Sequence, residues 1–174
     1  VGNVDYDLRW RQTPNLCNDV YDPNGGCAMA TSLDGEFVPG MDPGTLVYEN
    51  PEELYVCPEE TEADWYKLTL LPLQSVTVTA TYDATQSAGF LDLRLRSDCT
   101  VIEKFDSRTR DPMNPNIVTQ RLTFSAPNGG EFFITGTIDQ GLQVTYDLRV
   151  EIQDGPPCDE DNLEPNDDVA SAHV

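Results

Sequence analysis

The chain has 174 residues, and its 31 acidic and 10 basic side chains give a formal net charge of −21. A surface this acidic repels phosphate backbones and anionic lipid headgroups, which excludes nucleic acid and electrostatic membrane docking as partners. A catalytic Ser/His/Asp or Cys/His arrangement would depend on His173, which is the one histidine and stands where side chains are rarely held firmly. No apolar run approaches the about 18 residues of a membrane-spanning helix.

The beginning and the end of the sequence resemble each other. Val4–Trp10 reads VDYDLRW, and Val144–Val150 reads VTYDLRV. Each is followed by a cysteine and then by an acidic residue, a proline and an asparagine, and the copies are Cys17 with Cys158 and Asp22–Asn24 with Glu164–Asn166. The offset between the copies stays close to about 140 residues, and such self-similarity is typical of tandem arrays.

This repeat predicts the domain boundaries. Residues 1–13 are expected to be the last strand of a preceding repeat. Residues 14–155 form one complete domain, and residues 156–174 begin a following repeat that is expected to be mobile.

Between the ends, apolar and polar residues alternate along several segments. Alternation of this kind is typical of antiparallel strands with one buried face. Turn signals rich in Gly, Pro and Asn separate the segments, and helical periodicity is absent from them. We predict an all-β fold, an antiparallel β-sandwich or jelly roll of seven or eight short strands. The alternating segments are 76–82, 91–95, 118–124, 132–138 and 144–152.

The five cysteines indicate an oxidising, extracellular compartment, because disulfides persist there and no C-x-x-C pair points to zinc or redox chemistry. Cys158 belongs to the next repeat and is expected to be unpaired. Cys17 has a counterpart in that repeat whereas Cys27 has none, so a pair between these two is less expected. We favour Cys17–Cys57 with Cys27–Cys99, while the other pairings, and free thiols in a cytosolic protein, stay open.

Five short motifs follow one another along the chain: Asp22-Pro23-Asn24, Asp64-Trp65-Tyr66, Leu91-Asp92-Leu93, Gly130-Glu131-Phe132 and Tyr146-Asp147-Leu148. In this order and spacing they resemble the motifs of the bacterial pre-peptidase C-terminal (PPC) domain family. The resemblance covers residues from about 17 to 152 and starts again at 164. The cysteines near the motifs resemble those of the variant found in secreted multidomain proteins.

The resemblance implies a non-catalytic β-sandwich that is appended to secreted proteases or arranged in arrays. Some members of the family bind calcium and an extracellular polymer. Carried over position by position, Asp22, Asn24 and Asp64 match the family's calcium ligands. Glu60 and Glu62 lie near enough in sequence to add carboxylates, and oxygen ligands of this kind suit calcium.

Two departures from the family pattern weaken the calcium hypothesis, because Gly25 and Val20 stand where the motif has acids. The alternative is that Asp22 and Asn24 only make turn hydrogen bonds and that Asp64 caps its strand.

Other residues have alternative interpretations as well. Asp64 and Asp92 could act as a glycosidase pair, although outward acids on strands are usually solvated. Tyr66, Phe132, Phe133 and Tyr146 could form a binding strip, although strand aromatics usually pack in the core.

The sequence therefore predicts a non-enzymatic module at the bacterial cell surface or outside the cell. Its expected role is adhesion, spacing, or binding of an extracellular polymer or protein, with calcium as the one candidate cofactor and neighbouring repeats as further partners. The alternative is a C-terminal accessory domain that aids the secretion, maturation or targeting of an exported hydrolase.

Overall fold

The computed structural model describes residues 19–57, 63–85, 87, 89–141 and 143–155, except for the side chains at 105 and 139–141. Within these residues the chain forms twelve strands and one turn of 3₁₀ helix at Cys27–Met29. No helix in this part of the chain has the length and apolar character needed to cross a bilayer. The strands are β1 (Thr31–Ser32), β2 (Val38–Pro39), β3 (Thr45–Glu49), β4 (Leu54–Val56), β5 (Asp64–Leu70), β6 (Ser75–Asp83), β7 (Gly89–Arg96), β8 (Ile102–Phe105), β9 (Ser107–Arg110), β10 (Ile117–Ser125), β11 (Gly130–Gly141) and β12 (Val144–Gln153).

The strands form two sheets. Sheet A has the order β1-β5-β11-β7-β8, and sheet B has the order β2-β3-β12-β6-β10-β9, with β4 also paired to β12. Every ladder is antiparallel except the short one between β1 and β5. The inner faces of both sheets contribute to a single hydrophobic core. The predicted antiparallel β-sandwich is therefore confirmed.

The alternation in the sequence decides which side chains enter the core. On β6, Val76, Val78, Ala80 and Tyr82 are buried, and the threonines between them face outward. The same pattern buries every second residue of β7 and β12. Because burial of one large aliphatic side chain contributes about 1.5–3 kcal/mol, this alternation fixes the register of the central strands.

Strand β11 departs from the expected pattern of one buried and one wet face. Phe132 and Ile134 face the core, but Phe133 and Thr135 on the outer side are buried too. The ring of Trp65, from the neighbouring strand β5, packs edge-on against Phe133 at a centroid distance of 6.2 Å. The outer face of a central strand is thus shielded from solvent when a large side chain from a neighbouring strand covers it.

The sequence predicts seven or eight strands, and the additional ones are short. Strands β1, β2 and β4 have two or three residues each, too few to show alternation. β9 is exposed along its whole length and has no buried face to detect. These strands lie at or near sheet edges, where pairing depends on the neighbouring strand more than on local pattern.

One turn requires glycine. Gly129 precedes β11 and has φ +63°. A Cβ atom there would stand 2.6 Å from the carbonyl oxygen of Leu70, so a side chain would collide with the backbone at the end of β5.

Candidate functional site

The segment that holds the first calcium motif is anchored by side-chain hydrogen bonds. Asp19 accepts hydrogen bonds from the backbone N–H groups of Tyr21 at 2.8 Å and of Tyr55 on β4 at 3.1 Å. The carboxylate of Asp22 accepts one from the backbone N–H of Asp19 at 2.8 Å. Partial burial, the largest cause, raises the pKa of Asp19 above its usual range. Asp22 thus makes the turn hydrogen bond of the alternative interpretation, and it is exposed.

Asn24 is buried completely, with 0% of its surface exposed. Its backbone carbonyl accepts a hydrogen bond from the N–H of Trp65 at 3.1 Å, which places the first motif beside the start of β5. Within the described residues, neither the oxygen nor the nitrogen of its side-chain amide has a hydrogen-bond partner. Because leaving a buried polar group unsatisfied costs about 1–3 kcal/mol, this amide is a candidate ligand group.

Asp64 begins β5 and points toward the core, where only 4% of it is exposed. The hydroxyl of Tyr146, on β12 of the other sheet, donates a hydrogen bond to its carboxylate at 2.5 Å. The hydroxyls of Tyr66 and Tyr146 lie 3.3 Å apart. Burial, followed by the charge of Asp64, raises the pKa of both tyrosines well above the usual value.

Four tyrosines connect the opening segment with both sheets, and we call Tyr21, Tyr48, Tyr66 and Tyr146 the tyrosine cluster. Tyr48 donates a hydrogen bond from its hydroxyl to that of Tyr21 at 2.7 Å, and the Tyr21 ring packs edge-on against Tyr66 at 5.8 Å. Sequence reasoning missed Asp19 and Tyr48 as parts of this region. Only the structure brings together residues so far apart in the chain.

The structure brings two of the five predicted calcium ligands into the interior at one place. Asn24 and Asp64 are both buried, and their backbone segments are hydrogen-bonded through Trp65. Asp22 lies at the surface nearby, while Glu60 and Glu62 fall outside the described residues. Among the residues that are described, no three His, Cys, Asp or Glu side chains converge as a metal site. An amide oxygen and a carboxylate are nevertheless the hard ligands that calcium prefers.

Asp64 and Asp92 do not face each other. Asp64 points into the core, whereas Asp92 lies on the outer face of sheet A and forms an ion pair with Arg94. Two carboxylates that act on one glycosidic bond must flank it from within a common cleft. The sequence hypothesis of a glycosidase pair is therefore wrong.

The aromatic residues considered as a binding strip do not form one surface. Tyr66, Phe132 and Tyr146 are buried in the core between the sheets. Phe133 points outward and is covered by Trp65, whose ring also carries the Arg96 guanidinium at 5.3 Å. The alternative interpretation, that these aromatic residues pack in the core, therefore holds for Tyr66, Phe132 and Tyr146.

Cys27 and Cys99 form the predicted disulfide, with their Cα atoms 5.5 Å apart. It links the 3₁₀ turn before β1 to the turn after β7. Cys57 is disulfide-bonded as well. The favoured partner, Cys17, lies outside the described residues, as does Cys158.

No protein-family model matches the sequence, and a search of curated proteins finds no significant match. Among solved structures, the chain is similar to the pre-peptidase C-terminal domain of a collagenase from Bacillus anthracis. The two share 12% sequence identity with a TM-score of 0.38, over 57% of this chain and 87% of that one. This domain belongs to the family that the sequence motifs resemble. At this identity the likeness concerns the fold alone, and the sandwich itself is established by the strand pairings described above.

Proposed function

We propose that this chain is a non-catalytic accessory module of an extracellular protein. The two carboxylates that could have formed a catalytic pair are separated by sheet A, and one of them is bound by Tyr146 in the core. The disulfide between Cys27 and Cys99 suits an oxidising compartment. The similar solved structure is a domain of a collagenase, which suggests a role beside a secreted hydrolase.

We further propose that calcium stabilises the module at its opening segment. The observation that carries this proposal is the buried amide of Asn24, which has no partner among the described residues and lies beside the segment of Asp64. Asn24 and Asp64 would supply oxygen ligands from inside the fold, Asp22 would add one from the surface, and Glu60 and Glu62 would complete the set. Bound calcium would supply positive charge where burial otherwise disfavours carboxylates.

A thermal melt with calcium and with chelator tests the calcium proposal. Binding at a concentration 100 times the dissociation constant stabilises a fold by about 2.7 kcal/mol, which corresponds to a Tm rise of about 5–10 °C for a domain of this size. Replacement of Asn24 by alanine should abolish the rise, whereas Asn128→Ala, at an exposed turn asparagine, should keep it. An equal Tm in calcium and in chelator would remove calcium from the proposal and leave the accessory role standing.

The accessory role is tested by co-sedimentation of the labelled chain with insoluble collagen, chitin, cellulose and peptidoglycan. Retention on one polymer would support adhesion or targeting. Absence of retention, together with faster export of a fused passenger enzyme, would support a role in secretion. Hydrolysis of any of these polymers by the isolated chain would overturn the non-catalytic assignment.

A further inference from the structure

The two edges of sheet B carry opposite charge. Strand β2 lies at one edge, and the described segment that contains it, 19–57, has no Lys or Arg at all. Its acidic residues are Asp19, Asp22, Asp34, Glu36, Asp42, Glu49, Glu52 and Glu53. Strand β9 lies at the opposite edge and carries Arg108 and Arg110, and Arg121 lies on the neighbouring strand β10.

We define the basic edge as Arg108, Arg110 and Arg121, on β9 and β10 at the edge of sheet B, together with Lys104 on β8 at the adjoining edge of sheet A. All four residues are exposed. Within the described part of the chain, none of them forms an ion pair with a carboxylate. In a chain with three times more acids than bases, four unpaired cations on one edge are available to an acidic partner.

Backbone carbonyls order two of these cations. Arg108 donates a hydrogen bond to the carbonyl of Leu91 at 2.8 Å and stacks on the Phe90 ring at 5.2 Å, and Arg110 donates to Pro115 at 2.9 Å. Both acceptors are neutral carbonyls, although Arg108 also interacts electrostatically with Asp106. Because these two arginine side chains are already ordered, binding of a partner costs them less side-chain entropy than it would cost freely moving arginines.

Acidic residues near the basic edge do not cancel it. The carboxylate of Asp111 accepts hydrogen bonds from the backbone N–H groups of Met113 and Asn114, which holds it in its own turn. Asp106 is half-buried between β8 and β9 and offsets part of the charge of Arg108, and Glu103 on β8 is exposed. Charged edges protect sheets from aggregation, and copies of net charge −21 repel one another as whole molecules, so the cations at this edge are where an acidic surface of another copy meets local attraction.

The opposite edge offers a complementary surface, which we call the acidic edge. A groove of about 390 Å³ lies along β2 and is lined by Glu36, Val38, Met41 and the ion pair of Glu49 with Arg149, among others. Val38 is 60% exposed and Met41 is fully exposed, so the groove combines negative charge with apolar surface. The basic edge matches this mixture, because Met113, 92% exposed, stands in the turn that follows β9.

We infer that the basic edge of one copy of this chain docks against the acidic edge of a second copy. Because the two surfaces differ, the contact is heterologous and does not close at a dimer. Pro39 on β2 lacks an N–H group, so side chains carry the contact and the sheet is not simply extended. A long polyanion fits less well, because the chain as a whole carries a net charge of −21. The inference does not depend on the proposed accessory function.

Sedimentation equilibrium of the full chain tests this inference. At about 50 mM salt the weight-average mass should rise above 19.3 kDa with concentration and continue past the dimer mass. A mass that stays at the monomer value, or levels off at the dimer value, would overturn the inference.

Two variants with the same net charge separate the basic edge from charge in general. Arg110→Gln with Arg121→Gln should weaken association about tenfold. Lys67→Glu changes the net charge equally on the outer face of sheet A and should leave association within about twofold of the parent. Equal effects of the two variants would overturn the inference, and thermal melts verify that each variant is folded.

Charge exchange gives the sharpest result. Arg110→Glu with Arg121→Glu cancels the positive charge of the basic edge, and Glu36→Arg with Asp42→Arg places cations on the acidic edge, so neither variant should self-associate. A mixture of the two should associate. Failure of the mixture would contradict the pairing of these edges. A different outcome would identify a polyanion as the occupant instead. In that case the parent would not self-associate but would be retained on dextran sulfate, and the first variant would not be retained.

Discussion

Residues 19–57 and 89–125 are held in the sandwich in different ways. The first region contains strands of two to five residues, and it is anchored by side chains such as Asp19 and Tyr48. The second contains β7 and β10, which pair along most of their lengths with β11 and β6. Main-chain ladders distribute stability over many bonds, whereas the first region depends on a few polar groups. Single substitutions should therefore affect the first region more strongly.

The largest expected effect comes from removing the covalent link between the two regions. Cys27 belongs to the first and Cys99 to the second, with a sequence separation of 72. Loss of a cross-link over a loop of this length costs about 4 kcal/mol by the chain-entropy estimate. The measurement is urea unfolding of Cys27→Ala with Cys99→Ala against the oxidised parent. A loss below about 1 kcal/mol would show that the first region is held by its other contacts.

A smaller effect is expected for Tyr146→Phe, which removes the hydrogen bond to Asp64 from the core. Because a buried carboxylate loses a donor, unfolding free energy should fall by about 2 kcal/mol. The control is Tyr48→Phe, whose hydroxyl bonds a neutral hydroxyl nearer the surface and should cost about 1 kcal/mol. If Tyr48→Phe were the more costly change, Asp64 would not be the centre of this network.

The smallest effect concerns two aspartates on the turns that flank β8. One carboxylate oxygen of Asp106 is buried without a partner, and partial burial, the largest cause, raises its pKa. The pKa of Asp98 is lowered, chiefly by hydrogen bonds from the N–H groups of Val101 at 2.7 Å and Thr100 at 2.6 Å. Where folding raises the pKa of a carboxyl group, its ionised form destabilises the fold at any pH above that pKa. Where folding lowers the pKa, the ionised form stabilises the fold.

At neutral pH, Asp106→Asn should therefore raise unfolding free energy slightly, because solvent screens this half-exposed carboxylate, and Asp98→Asn should lower it. As the pH falls through the folded-state pKa of Asp106, the gain from its replacement shrinks. The loss of stability in Asp98→Asn shrinks as the pH falls toward the lowered folded-state pKa of Asp98. Denaturant unfolding of both variants from pH 7 to pH 3 measures this. A gain at Asp106 that grows in acid would contradict the assigned direction.

The long strands were predictable from sequence, and the short ones were not. β6, β7 and β12 alternate over many residues, so local pattern alone assigns them. β2 and β4 exist because β3 and β12 offer them backbone partners, and no feature of two or three residues encodes that. The outer-face burial of Phe133 was likewise hidden, since it depends on Trp65 from another strand.

Part of the candidate site was predictable as well. The family motifs pointed to Asn24 and Asp64, and the structure places both in the interior at adjacent backbone positions. Their partners follow from the tertiary fold: Tyr146 reaches Asp64 across 82 residues of sequence, and Tyr55 meets Asp19 across 36. Motifs report which groups are present, whereas the sandwich decides which of them meet.

The position of β12 has a mechanical consequence. This strand lies between β3 and β6, so force applied at residue 155 must shear ladders on both of its sides. Force applied at residue 19 meets no strand ladder in the described residues before β1, but single side-chain hydrogen bonds such as those of Asp19. A pulled module should therefore yield first at its opening segment. The unravelling should stop at Cys27, where the disulfide to Cys99 transfers the load to sheet A.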